Sequence, residues 1–321
     1  MSKVKVLITG ITGFVGSHLA ESYLKDGYEV YGTYMYHHLD DELERIVDIQ
    51  KDLILYDCDL TDRNSVYRVV TEVKPDIIHH LAAQSFVKAS WDNPEFTITN
   101  NILSELNIFE VCRQLELDPI IHIAGSSEEY GKIKSEELPV KEDNPLRPMS
   151  PYAVSKVGQD MLAQQYYLSY GLRTVITRAF NHEGPKRGRS FVTSSFASQV
   201  VDILKCRTES RIMVGNLEAQ RDYTDIDDMV RAYRLAVIHC KYGEPYNICS
   251  GKTHKIQEIL DYFLSKSPSK IKVVQDQSRM RPSDLPVLLG DSTKFRKITK
   301  WKPEVSFEKM LDKIFKYWVL K

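Results

Sequence analysis

The first half of the chain alternates short apolar runs with longer stretches that have helical periodicity. Six runs rich in β-branched residues are predicted strands, namely residues 4–8, 29–34, 53–57, 76–82, 120–124 and 174–180. They are almost continuously apolar, which is typical of parallel strands covered by helices on both faces. The alternation therefore predicts an α/β fold with a doubly wound parallel sheet. Right-handed crossovers would bring the carboxyl ends of these strands to one edge of the sheet.

The alternation loosens after residue 181, where loops separate shorter helices and strands. This change predicts a first domain over residues 1–180 and a smaller, mixed α/β second domain over residues 181–321. We expect the second domain to close over the carboxyl edge of the sheet. Later segments near residues 217–250 are expected to pack back on the first domain.

Charge and composition exclude several classes of partner. The 321 residues include 43 Lys and Arg against 44 Asp and Glu, which leaves a formal net charge of -1. Such a chain has no global field for nucleic acid or an anionic membrane, so we predict neither as a partner. Basic residues cluster at 185–189 and 279–281, and each cluster is either a solvated face or an anion-binding loop.

Targeting and metal signals are missing from the sequence. The N-terminus runs straight into a predicted strand and no run of about 18 apolar residues occurs, so we expect neither a signal peptide nor a transmembrane span. The five cysteines lack CxxC spacing, which favours reduced thiols and a cytoplasmic location over disulfides or zinc. His79 and His80 are adjacent on a predicted strand and would face opposite sides. No metal site is predicted.

Three glycines follow the first predicted strand and open the first predicted helix. Gly10, Gly13 and Gly16 lie in the segment ITGITGFVGSHLAE, residues 8–21. Glycines at these points allow a tight turn and a close backbone approach, while the helix N-terminus faces a phosphate group. In a first strand–helix–strand unit this pattern predicts a Rossmann-type dinucleotide site.

A tyrosine and a lysine lie one turn apart on a later predicted helix. In SPYAVSK, residues 150–156, Pro151 suits a helix start, and Tyr152 and Lys156 stand at i and i+4 on one face. A nearby ammonium favours the phenolate, which would make Tyr152 a usable general base. The alternative is an amphipathic helix with an exposed tyrosine.

Two serines and two glutamates end the fifth predicted strand, in GSSEEYG at residues 125–131. Acids next to a core are costly unless another group pairs with them or a reaction uses them. This strand end lies at the edge where the dinucleotide and Tyr152 should meet. The sequence therefore places candidate catalytic carboxylates there.

These motifs resemble the extended short-chain dehydrogenase/reductase superfamily over essentially the whole chain. The spacing GxxGxxG and the pair YxxxK carry the resemblance, together with Asp59-Leu60 and the segment LAAQS, residues 81–85. The resemblance implies that Tyr152 is the catalytic base, that Lys156 is its partner and binds the cofactor ribose, and that Ser126 is the third catalytic residue. It also implies a cofactor site made by Gly10, Thr12, Gly13, Phe14, Val15, Gly16, Asp59, Leu60, Leu81, Ala82, Ala83, Tyr152, Lys156, His182 and Arg187.

Longer strings resemble the GDP-mannose 4,6-dehydratases within that superfamily. They are Ser126-Ser127-Glu128, where that family usually has Thr at the first position, and residues 181–193, 215–222 and 281–284. The resemblance implies that Glu128 takes the sugar C5 proton, while Glu129 points away as a solvated neighbour. It further implies a GDP-sugar substrate whose diphosphate is clamped by arginines. The implied substrate residues are Ser85, Ser127, Asn181, Val192, Arg221, Arg281 and Asp284.

Several alternatives remain open at this level. GDP-4-keto-6-deoxymannose reductases and related epimerases share similar strings. A protein that only senses the dinucleotide would usually lack the Tyr/Lys pair, which this chain keeps. The second predicted strand lacks a terminal Asp or Glu for the ribose of NAD, so a tightly bound NADP is favoured, with NAD as the alternative, although an adjacent Arg is also missing. The resemblance implies a homodimer or homotetramer, and the sugar itself stays unassigned.

Overall fold

The computed structural model describes residues 3–35, 40–280 and 285–321. Within these ranges the strands are β1 Lys5–Thr9, β2 Glu29–Tyr34, β3 Ile54–Asp57, β4 Ile77–His80, β5 Ile120–Ser126, β6 Thr174–Ala179, β7 Asn181–Glu183, β8 Arg211–Val214, β9 Gln220–Asp225, β10 Pro245–Ile248, β11 Thr253–Lys255, β12 Lys272–Gln275 and β13 Val287–Leu288. The α-helices are α1 Phe14–Lys25, α2 Arg63–Val73, α3 Val87–Asp92, α4 Pro94–Gln114, α5 Pro151–Tyr170, α6 Val192–Leu204, α7 Ile226–His239, α8 Ile256–Leu264, α9 Thr293–Thr299 and α10 Phe307–Leu320. No helix in these ranges is long and apolar enough to cross a membrane.

Seven strands form one sheet in the order β3-β2-β1-β4-β5-β6-β10, and every neighbouring pair is parallel. The predicted doubly wound α/β sheet is confirmed. The chain direction across the sheet reverses between β1 and β4, which is where such sheets open a crevice at their carboxyl edge. The predicted strand 76–82 already ends at His80, because the Leu81 and Ala82 amides turn to donate hydrogen bonds to Thr9 Oγ1, at 3.1 and 3.2 Å.

Both faces of this sheet are buried, which explains the apolar strands. Side chains alternate between faces along a strand. Leu7 therefore joins the core under α2, α4 and α5, while Val6 and Ile8 join the core under α1 and α7. β10 and α7 come from later in the chain and return to this sheet, β10 by pairing with β6.

Histidines on the inner strands are held by hydrogen bonds. His79 Nε2 lies 2.8 Å from Tyr23 Oη, and His79 Nδ1 lies 3.0 Å from His122 Nδ1. On the opposite face, His80 Nδ1 lies 2.9 Å from Thr9 Oγ1. Burial lowers the pKa of His80 and of His122 to about 3, so both rings are neutral in the folded protein. These contacts account for the adjacent histidines as buried, hydrogen-bonded side chains.

The second half of the chain builds a smaller mixed α/β region beside the carboxyl edge. There β9 pairs in parallel with β7 and β13 and antiparallel with β11, while β8 and β12 form a separate parallel pair. The helices α6, α8 and α10 enclose a second core that includes Phe196, Phe263 and Leu311. Because β7 follows β6 after a single residue, this region begins directly at the sheet edge.

Candidate active site

A cleft of about 600 Å³ lies between the carboxyl end of β5 and the region formed by β7, α6 and β9. Ends of elements from both halves of the chain form its wall. The predicted site residues on this wall are Ser85, Ser126, Ser127, Glu128, Tyr152, Asn181, His182, Arg187, Val192 and Arg221. The predicted Arg281 and Asp284 lie outside the described residues.

The glycine loop packs so closely that larger residues would not fit. Gly10 has a φ of +66°, and a Cβ there would lie 2.9 Å from Ala82 Cα. A Cβ on Gly16 would lie 2.4 Å from the Gly10 carbonyl oxygen. Helix α1 begins right after Gly13, and no side chain caps it, so its first amides are left for another acceptor. The loop therefore fits the pyrophosphate of a dinucleotide.

Two further contacts connect the loop to the second half of the chain. The His182 ring stacks on the Phe14 ring with centroids 6.1 Å apart, and the Arg187 guanidinium lies 4.7 Å from the centre of that ring. Burial lowers the pKa of His182 to about 4, so this imidazole is neutral. The predicted Thr12, Val15 and Ala83 lie in the two segments that form this edge, the glycine loop and the turn after β4.

The predicted Asp59 and Leu60 lie just beyond the carboxyl end of β3. Asp59 Oδ1 accepts hydrogen bonds from Thr61 N and Thr61 Oγ1, at 2.8 and 2.7 Å. The Leu60 carbonyl accepts a bond from Asn107 Nδ2 at 2.9 Å. Both residues are thus fixed at the edge where the strands β1 and β4 also end.

Sequence reasoning missed Arg45, which the fold brings to the glycine loop. Its Nε donates to the Lys186 carbonyl at 3.0 Å, and its Nη1 lies 3.4 Å from the Thr12 carbonyl. Arg45 belongs to the 3-10 segment Asp40–Ile46, well beyond the end of β2. The residues immediately after β2 therefore give no sign of this cation.

Helix α5 presents Tyr152 to the end of β5. Ser150 caps the helix by accepting a hydrogen bond from Ala153 N at 3.1 Å, and Pro151 occupies the first turn. The Tyr152 side chain is buried and hydrogen-bonded to Ser126. Lys156 Nζ lies 5.9 Å from the centre of the Tyr152 ring, below the cleft wall.

The electrostatics of this pair differ from the sequence-based expectation. Burial raises the pKa of Tyr152, and the Glu128 and Glu129 charges raise it further against the Ser126 hydrogen bond. Lys156 instead donates to Ala124 O and to Gln159 Oε1, both at 2.8 Å. Burial lowers the pKa of Lys156 to about 8. The ammonium thus lies behind the tyrosine and does not by itself make it a phenolate.

The two adjacent glutamates have different surroundings. A single 3-10 turn, Ser127–Tyr130, leaves Glu128 partly exposed on the cleft wall and returns Glu129 beneath the strand end. Glu129 Oε1 accepts a 2.6 Å hydrogen bond from Ser126 N, and its other oxygen lies 3.3 Å from Arg178 Nε. The expectation that Glu129 is solvated is therefore wrong, because it is fully buried.

Two sequence signals point to this burial in retrospect. Ser126 and Glu129 have the spacing of a capping box, in which the acid returns to the first amide. Arg178 interrupts a buried strand, and a buried arginine needs a carboxylate partner. It has two, since Asp160 Oδ2 lies 2.7 Å from Arg178 Nε.

The cleft has an excess of positive charge. Among its described lining residues, three carboxylic side chains, Glu128, Glu183 and Asp276, face five cations, Lys88, Arg187, Arg189, Arg221 and Arg279. Arg221 is fixed because its Nη1 donates to the Leu285 carbonyl at 2.7 Å. Arg279, which belongs to one of the basic clusters, donates to Ser195 Oγ at 3.1 Å. The planar guanidinium group of an arginine can donate two parallel hydrogen bonds to a phosphate group. A cationic wall that is rich in arginine therefore suits a diphosphate.

Comparison with known proteins agrees with this geometry. GDP-6-deoxy-D-mannose reductase of Pseudomonas aeruginosa is 29% identical over 314 residues, which are 98% of this chain and 97% of that protein. GDP-mannose 4,6 dehydratase 2 of Arabidopsis thaliana is 34% identical over 319 residues, which are 95% of this chain and 84% of that protein.

Solved structures show the same architecture. The structure of RMD from Pseudomonas aeruginosa complexed with NADPH superposes with a TM-score of 0.84 at 28% identity, covering 99% of both chains. UDP-glucose 4-epimerase of Thermus thermophilus in complex with NAD gives a TM-score of 0.86 at 28% identity, covering 98% of this chain and 99% of that one. The family model for GDP-mannose 4,6 dehydratase matches residues 7–314. With its cationic cleft, glycine loop and paired Tyr152 and Lys156, the chain belongs to the GDP-mannose 4,6 dehydratase family of enzymes.

Proposed function

We propose that the protein is a nucleotide-sugar 4,6-dehydratase that converts a GDP-hexose to its GDP-4-keto-6-deoxy sugar. The observation that carries the proposal is the position of Glu128. Its carboxyl group stands on the cleft wall beside Ser126 and Tyr152, whereas Glu129 is buried and engaged with Arg178. In this arrangement Tyr152 would contact the hydroxyl group of one sugar carbon. The Glu128 carboxylate, next to the tyrosine, could then reach the neighbouring carbon of the sugar ring.

The cofactor proposed for this site is NADP, bound along the glycine loop and the end of β4. β2 ends at Tyr34 without a carboxylate that would repel a 2′-phosphate, and Arg45 brings a cation to the loop. When bound, the oxidised dinucleotide would accept hydride from sugar C4, return it at C6, and through its positive charge favour the Tyr152 phenolate. Lys156 lies behind Tyr152, where it would bind the ribose and stabilise that phenolate.

Each side chain of the cleft would then have a separate role in the reaction. Ser126 and Tyr152 would hold the C4 oxygen, and Tyr152 would take its proton as general base. The ketone at C4 acidifies the C5 hydrogen, which Glu128 would remove as a proton and then donate to the departing C6 hydroxyl, so that water leaves and the carboxylate is restored. The cleft arginines would hold the diphosphate and so orient the sugar against these groups.

A second candidate is a reductase of GDP-4-keto-6-deoxy sugars. The observation that favours it is the match to the Pseudomonas reductase, which spans 97% of that protein, against 84% of the Arabidopsis dehydratase. A reductase would use Tyr152 as a proton donor and consume one reduced dinucleotide per turnover. Glu128 would then be dispensable for the hydride step.

Product analysis of the wild-type protein separates the two candidates. With GDP-mannose and other GDP-hexoses, a dehydratase gives a product lighter by one water and consumes no added reductant. In heavy water the product gains deuterium at C5, and a deuterium placed at C4 reappears at C6. Stoichiometric consumption of NAD(P)H on a 4-keto sugar, with every GDP-hexose left unchanged, would establish the reductase instead.

The diphosphate clamp gives a prediction about binding. Arg221→Ala should weaken GDP binding by roughly 1.5–3 kcal/mol, the range for losing a hydrogen bond to a charged group. Isothermal titration measures this directly. Arg211→Ala is the control, because Arg211 is an exposed arginine on β8 away from the cleft wall. GDP should also raise the melting temperature more than UDP does. Equal protection by UDP would overturn the assignment of guanine.

A further inference from the structure

Two basic residues from different halves of the chain bind each other beside the glycine loop. Arg45 Nε donates a 3.0 Å hydrogen bond to the Lys186 carbonyl, and Lys186 Nζ donates a 2.7 Å bond to the Arg45 carbonyl. Each side chain therefore holds the backbone of the other residue. This reciprocal contact, the Arg45–Lys186 pair, connects the 3-10 segment Asp40–Ile46 to the loop that follows β7.

Further contacts fix the Lys186 side of this pair on helix α1. Lys186 Nζ also forms an ion pair with Glu21, and His18 Nε2 lies 3.0 Å from the Pro185 carbonyl oxygen. Both side chains of the ion pair are partly buried, so solvent screens it less than an exposed pair. Lys186 has a φ of +69°, which residues other than glycine rarely adopt. The contacts on both sides of Lys186 hold this conformation.

The Arg45 side of the pair contacts the glycine loop itself. Arg45 Nη1 lies 3.4 Å from the Thr12 carbonyl oxygen, and Gly13 N donates a 2.9 Å hydrogen bond to the Gly10 carbonyl. Both polar atoms of the peptide group between Thr12 and Gly13 therefore have partners, which fixes the orientation of this peptide. Helix α1 begins directly after it, at Phe14. The pair thus borders the part of the loop that fits a pyrophosphate.

The charge of Arg45 is available to a phosphate group. Its hydrogen bonds go to two carbonyl oxygens, and it forms no ion pair with a carboxylate in the part of the chain that the structure describes. The charge of Lys186, in contrast, is compensated by Glu21. A guanidinium carries a planar fork of donors that matches a phosphate. Arg45 can therefore both close the loop and attract the phosphates of a dinucleotide.

We propose that the Arg45–Lys186 pair retains the dinucleotide in its site and sets the rate of its release. The predicted cofactor residues lie on both sides of the pair, with the glycine loop in the first half of the chain and His182 and Arg187 in the second. A ligand held between two segments leaves when they separate. Contacts that oppose this separation lower the dissociation rate more than they change the association rate.

The proposal rests on the proposed function for the identity of the cofactor, NADP. It also bears on the choice between the two candidate reactions. A dehydratase recovers its oxidised cofactor within each turnover, so slow release costs it nothing. A reductase must exchange its cofactor after every turnover, so slow release would limit its rate.

The test is the rate at which NADPH leaves the protein. The fluorescence of bound NADPH is followed in a stopped-flow instrument after the complex is mixed with excess NADP. Arg45→Met and Lys186→Met each remove one charged donor of the pair. Each should raise the dissociation rate at least about 10-fold, the effect of losing a hydrogen bond from a charged group. The association rate should change less than the dissociation rate.

Two further variants separate the pair from general stability. Lys186→Arg keeps a charged donor and should release NADPH at close to the wild-type rate. Lys205→Met is the matched control, because Lys205 Nζ donates a 2.7 Å bond to the Val319 carbonyl at the end of α6, away from the cleft wall. It should lower the melting temperature without changing the release of NADPH. A merely structural role for Lys186 would give the same result in Lys186→Met.

The measurement needs no sugar, so its outcome is distinguishable from a failure of the proposed function. If the wild type binds NADH in place of NADPH, the same experiment is made with NADH and excess NAD. The two methionine variants break the pair from opposite sides, so either one that folds is sufficient. A folded variant that releases the dinucleotide at the wild-type rate would overturn the proposal. Equal acceleration in Lys205→Met, or a wild type that binds neither dinucleotide, would overturn it as well.

Discussion

Tyr152→Phe is expected to lower kcat by at least about 100-fold, the usual effect of losing a general base. The substitution removes the hydroxyl that meets Ser126 and leaves the buried ring in place. GDP affinity should change little, because the arginines of the clamp lie elsewhere on the cleft wall. Steady-state kinetics with the GDP-hexose that the wild type accepts measures both quantities.

The control for this variant is Tyr166→Phe on the same helix. Tyr166 donates a hydrogen bond to Glu110 at 2.8 Å and does not line the cleft. Its loss should cost some stability and leave kcat near the wild-type value. Near-normal turnover in Tyr152→Phe would contradict the role of Tyr152 in proton transfer, whether the reaction is dehydration or reduction.

Glu128→Gln should still bind the dinucleotide and the GDP-sugar but should not release a dehydrated product. Loss of a positioned proton acceptor at C5 is expected to lower the dehydration rate by at least about 100-fold. Oxidation at C4 does not need this carboxylate, so a slow exchange of label at C4 should persist. Mass spectrometry of the sugar nucleotide follows both steps in one sample.

A neighbouring exposed glutamate supplies the comparison for this variant. Glu136→Gln changes the charge of the same stretch by the same amount, although Glu136 lies off the cleft wall. It should dehydrate the substrate at the wild-type rate. Dehydration by Glu128→Gln at that same rate would remove the carboxylate from the mechanism and favour the reductase.

Local sequence patterns predicted six of the seven strands of the large sheet, all but β10, and ten of the residues that line the cleft. The apolar runs predict six parallel strands because a strand that is buried on both faces carries apolar side chains on both of them. The glycine spacing follows from backbone geometry within seven residues, and the i, i+4 spacing of Tyr152 and Lys156 follows from the helical turn. These features depend on neighbours along the chain, so the sequence alone determined the fold class and the candidate catalytic residues.

The surroundings of those residues depend on the packing of segments that are distant along the chain. Glu129 is buried because one 3-10 turn brings it back to Arg178, which lies 49 positions further along the chain. Arg45 reaches the Thr12 carbonyl across the end of the sheet. Charges and pKa values depend on burial and on such distant partners, which no local pattern encodes. The sequence therefore identified the candidate catalytic residues, and the packing of distant segments decided their burial and their partners.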